Sequence, residues 1–208
     1  MLKAVDLFCG AGGFTVGLRN AGINVCLGID INADAVAVYD SNHDHPAVVH
    51  DVSDVSGTIS LIKNVGTVDI VAGSSPCQEF SLSGKQQEGE LASLTMDFGR
   101  VVHAIRPNVF MLENVPNIVH SDAYKSMQTM LIESGYSITV VVINSKYCRT
   151  AQCRRRAIVC GVLSGGDCLH TLQTLAQSSQ KELKAIPPTT IRDVLGTERC
   201  GDTIYFAP

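Results

Sequence analysis

No stretch of the sequence is apolar for long enough to span a membrane. The N-terminus, Met-Leu-Lys-Ala-Val-Asp, lacks the apolar run of a secretion signal. Charge is sparse: 17% of residues are Asp, Glu, Lys or Arg, and the net charge is -4. That balance excludes a disordered or polybasic chain and argues against nucleic-acid binding by bulk charge, though not against a local basic patch. There are eight cysteines but no CxxC pair, and Cys148, Cys153, Cys160 and Cys168 are too irregularly spaced for an ordinary zinc site. No metal is expected. Free thiols in a reducing, intracellular compartment are the natural reading, the cytoplasm or nucleoid if the source is bacterial. No internal repeat is present.

What remains is a chain of 208 residues, 45% of them hydrophobic, enough for one sizeable core. Short apolar runs alternate with amphipathic stretches. Strands are expected at Lys3–Phe8, Val25–Ile29, Ala47–His50, Val68–Ala72, Val109–Leu112, Ile138–Ile143 and Ala157–Val162. Most are dense in Val and Ile and bounded by turn residues or charge, as buried strands should be. Phe98, Val101, Val102 and Ile105 follow helical spacing, closed by Pro107. Tyr124, Met127 and Leu131 make a second stripe, with Gly135 as its stop. Repeated β-then-α units predict a doubly wound α/β sheet, mostly parallel and seven-stranded. Residues 1–163 read as one domain and 164–208 as a connector, polar and rich in Gln and Ser, with a short helix near Leu172–Ala176.

The first strand runs into Asp6-Leu-Phe-Cys-Gly-Ala-Gly-Gly-Phe14. Glycines there let a ligand approach the backbone, and a helix N-terminus favours negative charge. Asp30 ends the second strand, where a carboxylate can accept both hydroxyls of a ribose. The duller alternative is a tight turn with a capping aspartate. Thr15 stands where a dinucleotide fingerprint needs its third glycine, which favours a nucleoside ligand without a pyrophosphate, such as S-adenosylmethionine. Asp51 lies where an adenine could be met, or is a simple loop residue.

Gly73-Ser-Ser-Pro-Cys-Gln-Glu-Phe-Ser81 follows the fourth strand, which puts Cys77 at the carboxyl edge, where α/β sheets hold ligands. A thiolate there is a strong nucleophile; a buried structural thiol is the alternative, and the other seven cysteines, Cys9 included, are read that way. Glu113-Asn114-Val115 ends the fifth strand on the same edge, as a functional carboxylate or a helix cap. Gln152-Cys-Arg-Arg-Arg156 precedes the seventh strand, and alternation puts Arg154 and Arg156 on one face, Arg155 on the other. Two guanidinium groups on one face can bind a base carbonyl or phosphates; a solvated basic turn is the alternative.

Taken together and in this order, these segments resemble the DNA (cytosine-5)-methyltransferase family: its cofactor loop at Asp6–Phe14, its PCQxFS loop at Gly73–Ser81, its ENV motif at Glu113–Val115 and its QxRxR motif at Gln152–Arg156. The likeness covers roughly residues 1–163, which it implies are the catalytic and cofactor-binding domain, with a weaker match at Thr190–Gly196. It implies a Rossmann-like S-adenosylmethionine-dependent fold, with Phe8, Gly10, Gly12, Gly13, Asp30, Ile31, Asp51 and Val52 lining the cofactor site. It also implies that Cys77 attacks C6 of a cytosine, flipped out of duplex DNA, while Glu113 holds N3 and the exocyclic amine. Arg154 and Arg156 would lie near the base O2 and the cysteine loop. Two departures stand out. Ala151 replaces the family's Pro, and the stretch from Tyr147 to Gln152 is one residue longer than usual. The family's target-recognition region and final motifs do not follow, so a truncated form or the catalytic subunit of a split enzyme, served by a second polypeptide, is expected. A non-catalytic remnant or regulatory subunit, or a related tRNA methyltransferase, is the alternative reading; an NAD dehydrogenase is a distant last.

Overall fold

The computed structural model describes residues 1–76, 90–148, 150–165 and 174, without the side chains of 90–92 and 147. Seven strands form one sheet: β1 (Lys3–Leu7), β2 (Asn24–Asp30), β3 (Ala47–Val49), β4 (Ile70–Gly73), β5 (Val109–Asn114), β6 (Tyr136–Asn144) and β7 (Arg155–Leu163). Among the described residues five α-helices alternate with them: α1 (Gly13–Asn20), α2 (Ala33–Asn42), α3 (Val55–Asn64), α4 (Glu90–Ile105) and α5 (Asp122–Glu133). The strand order is β3-β2-β1-β4-β5-β7-β6. All pairs are parallel except β5–β7 and β6–β7, so β7 alone runs against its neighbours. Each expected strand is present, with no end displaced by more than two residues. The short helix expected near Leu172–Ala176 and the weak match at Thr190–Gly196 lie outside the described residues, save Thr174.

Alternation along β1 divides the core. Val5 and Leu7 face one side with Val71, Phe110 and Leu112, where Ile62 of α3, Phe98 and Val102 of α4, and Met127 and Leu131 of α5 cover them. Ala4 faces the other side with Val25, Ile70 and Ala72, covered by Phe14 and Leu18 of α1. Helices on both faces explain why the parallel strands read as continuous apolar runs. The stripes set at Phe98 and Tyr124 are the buried faces of α4 and α5. Gly135 takes φ 94 just after α5, a left-handed position that stops the helix without strain. Ser121 caps the same helix, accepting from the Tyr124 N–H at 3.1 Å.

β1 pairs with β2 on one side and β4 on the other. The strand order reverses here, and in such sheets a crevice opens beyond the carboxyl ends of the strands. The reversal of β7 matters equally. Because it is antiparallel, its first residues, not its last, lie beside the carboxyl end of β5, with Ala157 opposite Asn114.

Candidate active site

A cleft of about 600 Å³ occupies that crevice, lined from four successive strand ends: Phe8 after β1, Asp30 and Ile31 after β2, Asp51 and Val52 after β3, and Pro76 after β4. Ser93 and Leu94 of α4 complete one wall. Five of the eight residues expected at a cofactor site thus meet in one cleft, of a size suited to a nucleoside-sized ligand.

The three glycines shape the loop beside the cleft and are not among its lining. Gly10 has φ 53, and its N–H donates to Asp30 Oδ2 at 2.8 Å. Gly12 has φ 95, and a Cβ there would collide with the His43 ring. Its smallness serves internal packing under the loop. Around Gly13 there is open space. Phe8, also left-handed at φ 57, turns the chain out of β1. Asp30 receives Gly10 on one oxygen and the Asn32 N–H, at 2.9 Å, on the other. Each carboxylate oxygen has a second lone pair, so two further donors can be accepted. Asp51 accepts the Ser53 N–H at 2.9 Å in a local turn. Ile31 is 66% exposed at the mouth, an apolar surface with no partner in the core.

Beneath the loop lies a buried chain of polar groups that the sequence reading did not anticipate. Thr15 Oγ1 donates to Asp6 Oδ2 at 2.7 Å and lies 2.9 Å from the Tyr39 hydroxyl. That hydroxyl lies 2.7 Å from His45 Nε2, and His45 Nδ1 lies 3.4 Å from Asp44 at the surface. Asp6 Oδ1 is buried with no hydrogen-bond partner among the described residues. Burial pushes the Asp6 carboxyl up to about 7, against the opposing pull of the Thr15 hydrogen bond.

Cys77 lies outside the described residues, but the chain leading to it is described. Asn114 Nδ2 donates to both the carbonyl oxygen and the hydroxyl of Ser75, each at 3.0 Å. Asn114 Oδ1 accepts the Val115 N–H at 2.8 Å. The second residue of the Glu-Asn-Val triplet therefore ties the end of β5 to the segment that carries Pro76. The sequence alone assigns Asn114 no role; an amide closing an apolar strand is the available signal, because such a group needs partners when buried.

Glu113 is no helix cap. Its carboxylate takes Arg156 Nε at 2.8 Å and lies 4.0 Å from Arg154 Nη2. Arg154 and Arg156 thus meet the same acid, on one face as alternation predicts, despite the longer stretch before Gln152. The Arg156 side chain is 16% exposed and that of Arg154 48%. Among the described cysteines, burial pushes the Cys9 thiol up to about 12, with Asp6 and Asp30 adding to it, and the Cys160 thiol up to about 11. Neither forms a ready thiolate near neutral pH. Cys148 and Cys153 correct the expectation that the other cysteines are buried: both are exposed, because they fall in the turn before β7 rather than on the sheet. Among the described residues no cluster could hold a metal ion, and no helix is long and apolar enough to cross a membrane.

A sheet of this order, with its cleft at the β1/β4 reversal, has the fold of S-adenosylmethionine-dependent methyltransferases. An E. coli protein described as a prophage-encoded DNA modification methyltransferase superposes with a TM-score of 0.70 at 25% identity, over 94% of this chain and 55% of that one. The Dnmt2 methyltransferase of S. pombe shares the fold with a TM-score of 0.64 at 21% identity, over 79% of this chain and 50% of that one.

The chain belongs to the C-5 cytosine-specific DNA methylase family, whose model matches residues 2–204. It is 34% identical over its full length to the type II methyltransferase M.HgiDI of Herpetosiphon aurantiacus and 32% identical to M.HindV of Haemophilus influenzae. It spans 65% and 66% of those relatives' lengths.

Proposed function

We propose that this chain carries the chemical centre of an enzyme that transfers a methyl group from S-adenosylmethionine to carbon 5 of cytosine in DNA, through a covalent adduct at Cys77. The observation that carries this reading is a juxtaposition. Pro76, the residue before Cys77, lines the same cleft as Asp30 and Asp51, and Asn114 binds the segment before it to the strand end that bears Glu113 and its arginines.

The cleft suits S-adenosylmethionine. Asp30 offers free lone pairs for ribose hydroxyls, Phe8, Ile31 and Val52 offer apolar surface for an adenine, and Asp51 offers a further acceptor. When bound, the cofactor supplies an electrophilic methyl group on sulfur.

The remaining steps fall to this chain. The Cys77 thiolate adds to C6 of a cytosine turned out of the duplex, which places electron density on C5. Glu113 binds N3 and the exocyclic amine, stabilising the ring as charge develops there. Arg156 fixes the Glu113 carboxylate, and Arg154, the more exposed of the two, has a guanidinium available for the base carbonyl or a phosphate. C5 takes the methyl group. Loss of the C5 proton then expels the thiolate, the C6–S bond breaks, and Cys77 is regenerated. Recognition of a target sequence would be sought in the share of the relatives' length outside these residues, on the same chain or on a second polypeptide.

The test is trapping. The protein is incubated with labelled S-adenosylmethionine and duplexes bearing 5-fluorocytosine, which blocks the final proton loss. Label should be held covalently on wild type and absent from Cys77→Ser. Absence of any Cys77-dependent adduct, alone or with candidate partner polypeptides, would sink the catalytic reading. Parallel incubation with tRNA decides the nucleic-acid class.

A further inference from the structure

We propose that Ser145 is a positioning residue that holds Arg154 toward Glu113. This rests on the methyl-transfer reading above, because it assigns a purpose to Arg154.

The two arginines that meet Glu113 are held in different ways. Arg156 is inside the sheet, opposite Ile143 in the β6–β7 ladder, and contacts Glu113 at 2.8 Å. Its Nη1 also donates to the Arg155 carbonyl oxygen at 2.7 Å. Strand pairing is sufficient to set its position. Arg154 is one residue outside: the ladder ends at Asn144 opposite Arg155. Nothing in the sheet holds it.

Ser145 replaces the missing ladder. Its N–H donates to the Arg154 carbonyl oxygen at 2.9 Å. Its hydroxyl accepts the Arg154 N–H at 3.2 Å and donates to the Gln152 carbonyl oxygen at 2.6 Å. Both backbone polar groups of Arg154 thus end on one residue, and the hydroxyl bridges Arg154 to Gln152. The turn between β6 and β7 is closed at its neck by this side chain. An alanine would keep the contact made by the Ser145 N–H and lose both made by the hydroxyl. The Arg154 N–H would lose its partner, and the guanidinium, already at 4.0 Å from Glu113, would lose the frame that aims it.

Ser145→Ala should lower kcat about tenfold, the worth of roughly one net hydrogen bond, while KM for S-adenosylmethionine stays within twofold. Ser145→Thr, which keeps the γ-hydroxyl, should restore most of that loss. In an Arg154→Ala background, Ser145→Ala should cost nothing further, since two residues acting as one unit are not additive. Amide exchange at Arg154 should quicken in Ser145→Ala independently of activity. A kcat within twofold of wild type, or an effect that adds in full to Arg154→Ala, would overturn the assignment. If the wild-type protein methylates no cytosine, the functional reading fails by itself. The placement of Arg154 is then judged by amide exchange, and unchanged exchange in Ser145→Ala overturns it.

Discussion

The buried carboxyl of Asp6 makes the protein's stability depend on pH in an unusual direction. Most carboxyls are held below their ordinary value in the folded state, so stability is lost in acid. Asp6 is held up, from 3.8 to about 7, by burial. Between those values the folded chain keeps a proton that the unfolded chain has released. Stability contributed by this group is therefore fully present below about pH 4 and falls as pH rises through 7. Each pH unit in that window is worth ~1.4 kcal/mol. From pH 5 to pH 8 the loss amounts to about 2.5 kcal/mol, since it levels off once the folded carboxyl ionises. For a chain of this size that is roughly 5–10 °C in Tm. Asp6→Asn keeps the shape and an acceptor for Thr15 but cannot titrate. The difference in Tm between wild type and Asp6→Asn should therefore change by that amount between pH 5 and 8, with the wild type losing ground at high pH. Parallel curves would refute the reasoning.

The route of that proton is also testable. With Asp6 ionised, Thr15 donates to it, Tyr39 donates to Thr15, and His45 Nε2 must donate to Tyr39. With a proton on Asp6 Oδ2 every bond in the chain reverses, and His45 carries its proton on Nδ1, facing Asp44. Tyr39→Phe breaks the chain at its centre. It should slow exchange between the two Asp6 states and decouple the His45 tautomer from pH, read by nitrogen chemical shifts of His45. An unchanged pH response of His45 in Tyr39→Phe would exclude the relay.

Other expectations concern the site. Glu113→Gln should fold normally and lose roughly 10²–10³-fold in kcat, with cofactor affinity retained by calorimetry. Asp30→Ala should weaken S-adenosylmethionine binding by about 10- to 100-fold, since it removes a charged acceptor and loosens the Gly10 loop. Asn114→Ala strands the Ser75 carbonyl and should cost about 2–4 kcal/mol in urea unfolding, with a fall in the rate of Cys77 adduct formation. Gly12→Ala must adopt φ 95 and displace His43, and a loss of roughly 1–3 kcal/mol in thermal stability is expected.

Legibility from sequence followed the physical range of each signal. Strands β1, β2, β4 and β5 are plain because both of their faces are covered, so their central residues, Asp6 apart, are apolar or glycine. Their carboxyl ends were plain too, because polar residues reappear abruptly there, at Asp30 and Glu113. Hence five of eight cofactor candidates share one cleft. What sequence could not carry was direction across the chain. The alternation of Arg154 and Arg156 said that they share a face, but not which strand end that face adjoins. Had β7 run parallel to β5, its basic start would lie at the amino edge, a strand's length from Glu113. Its reversal brings Ala157 opposite Asn114 and so carries the arginines to the acid. Likewise the glycine turn signals close approach to the backbone at Gly12, but not that His43, at the end of α2, packs where its side chain would be. A residue's chemistry is local and can be read from its type and spacing. Its partners are set by which strands pair and in which direction, and β7 decides the partners of Glu113.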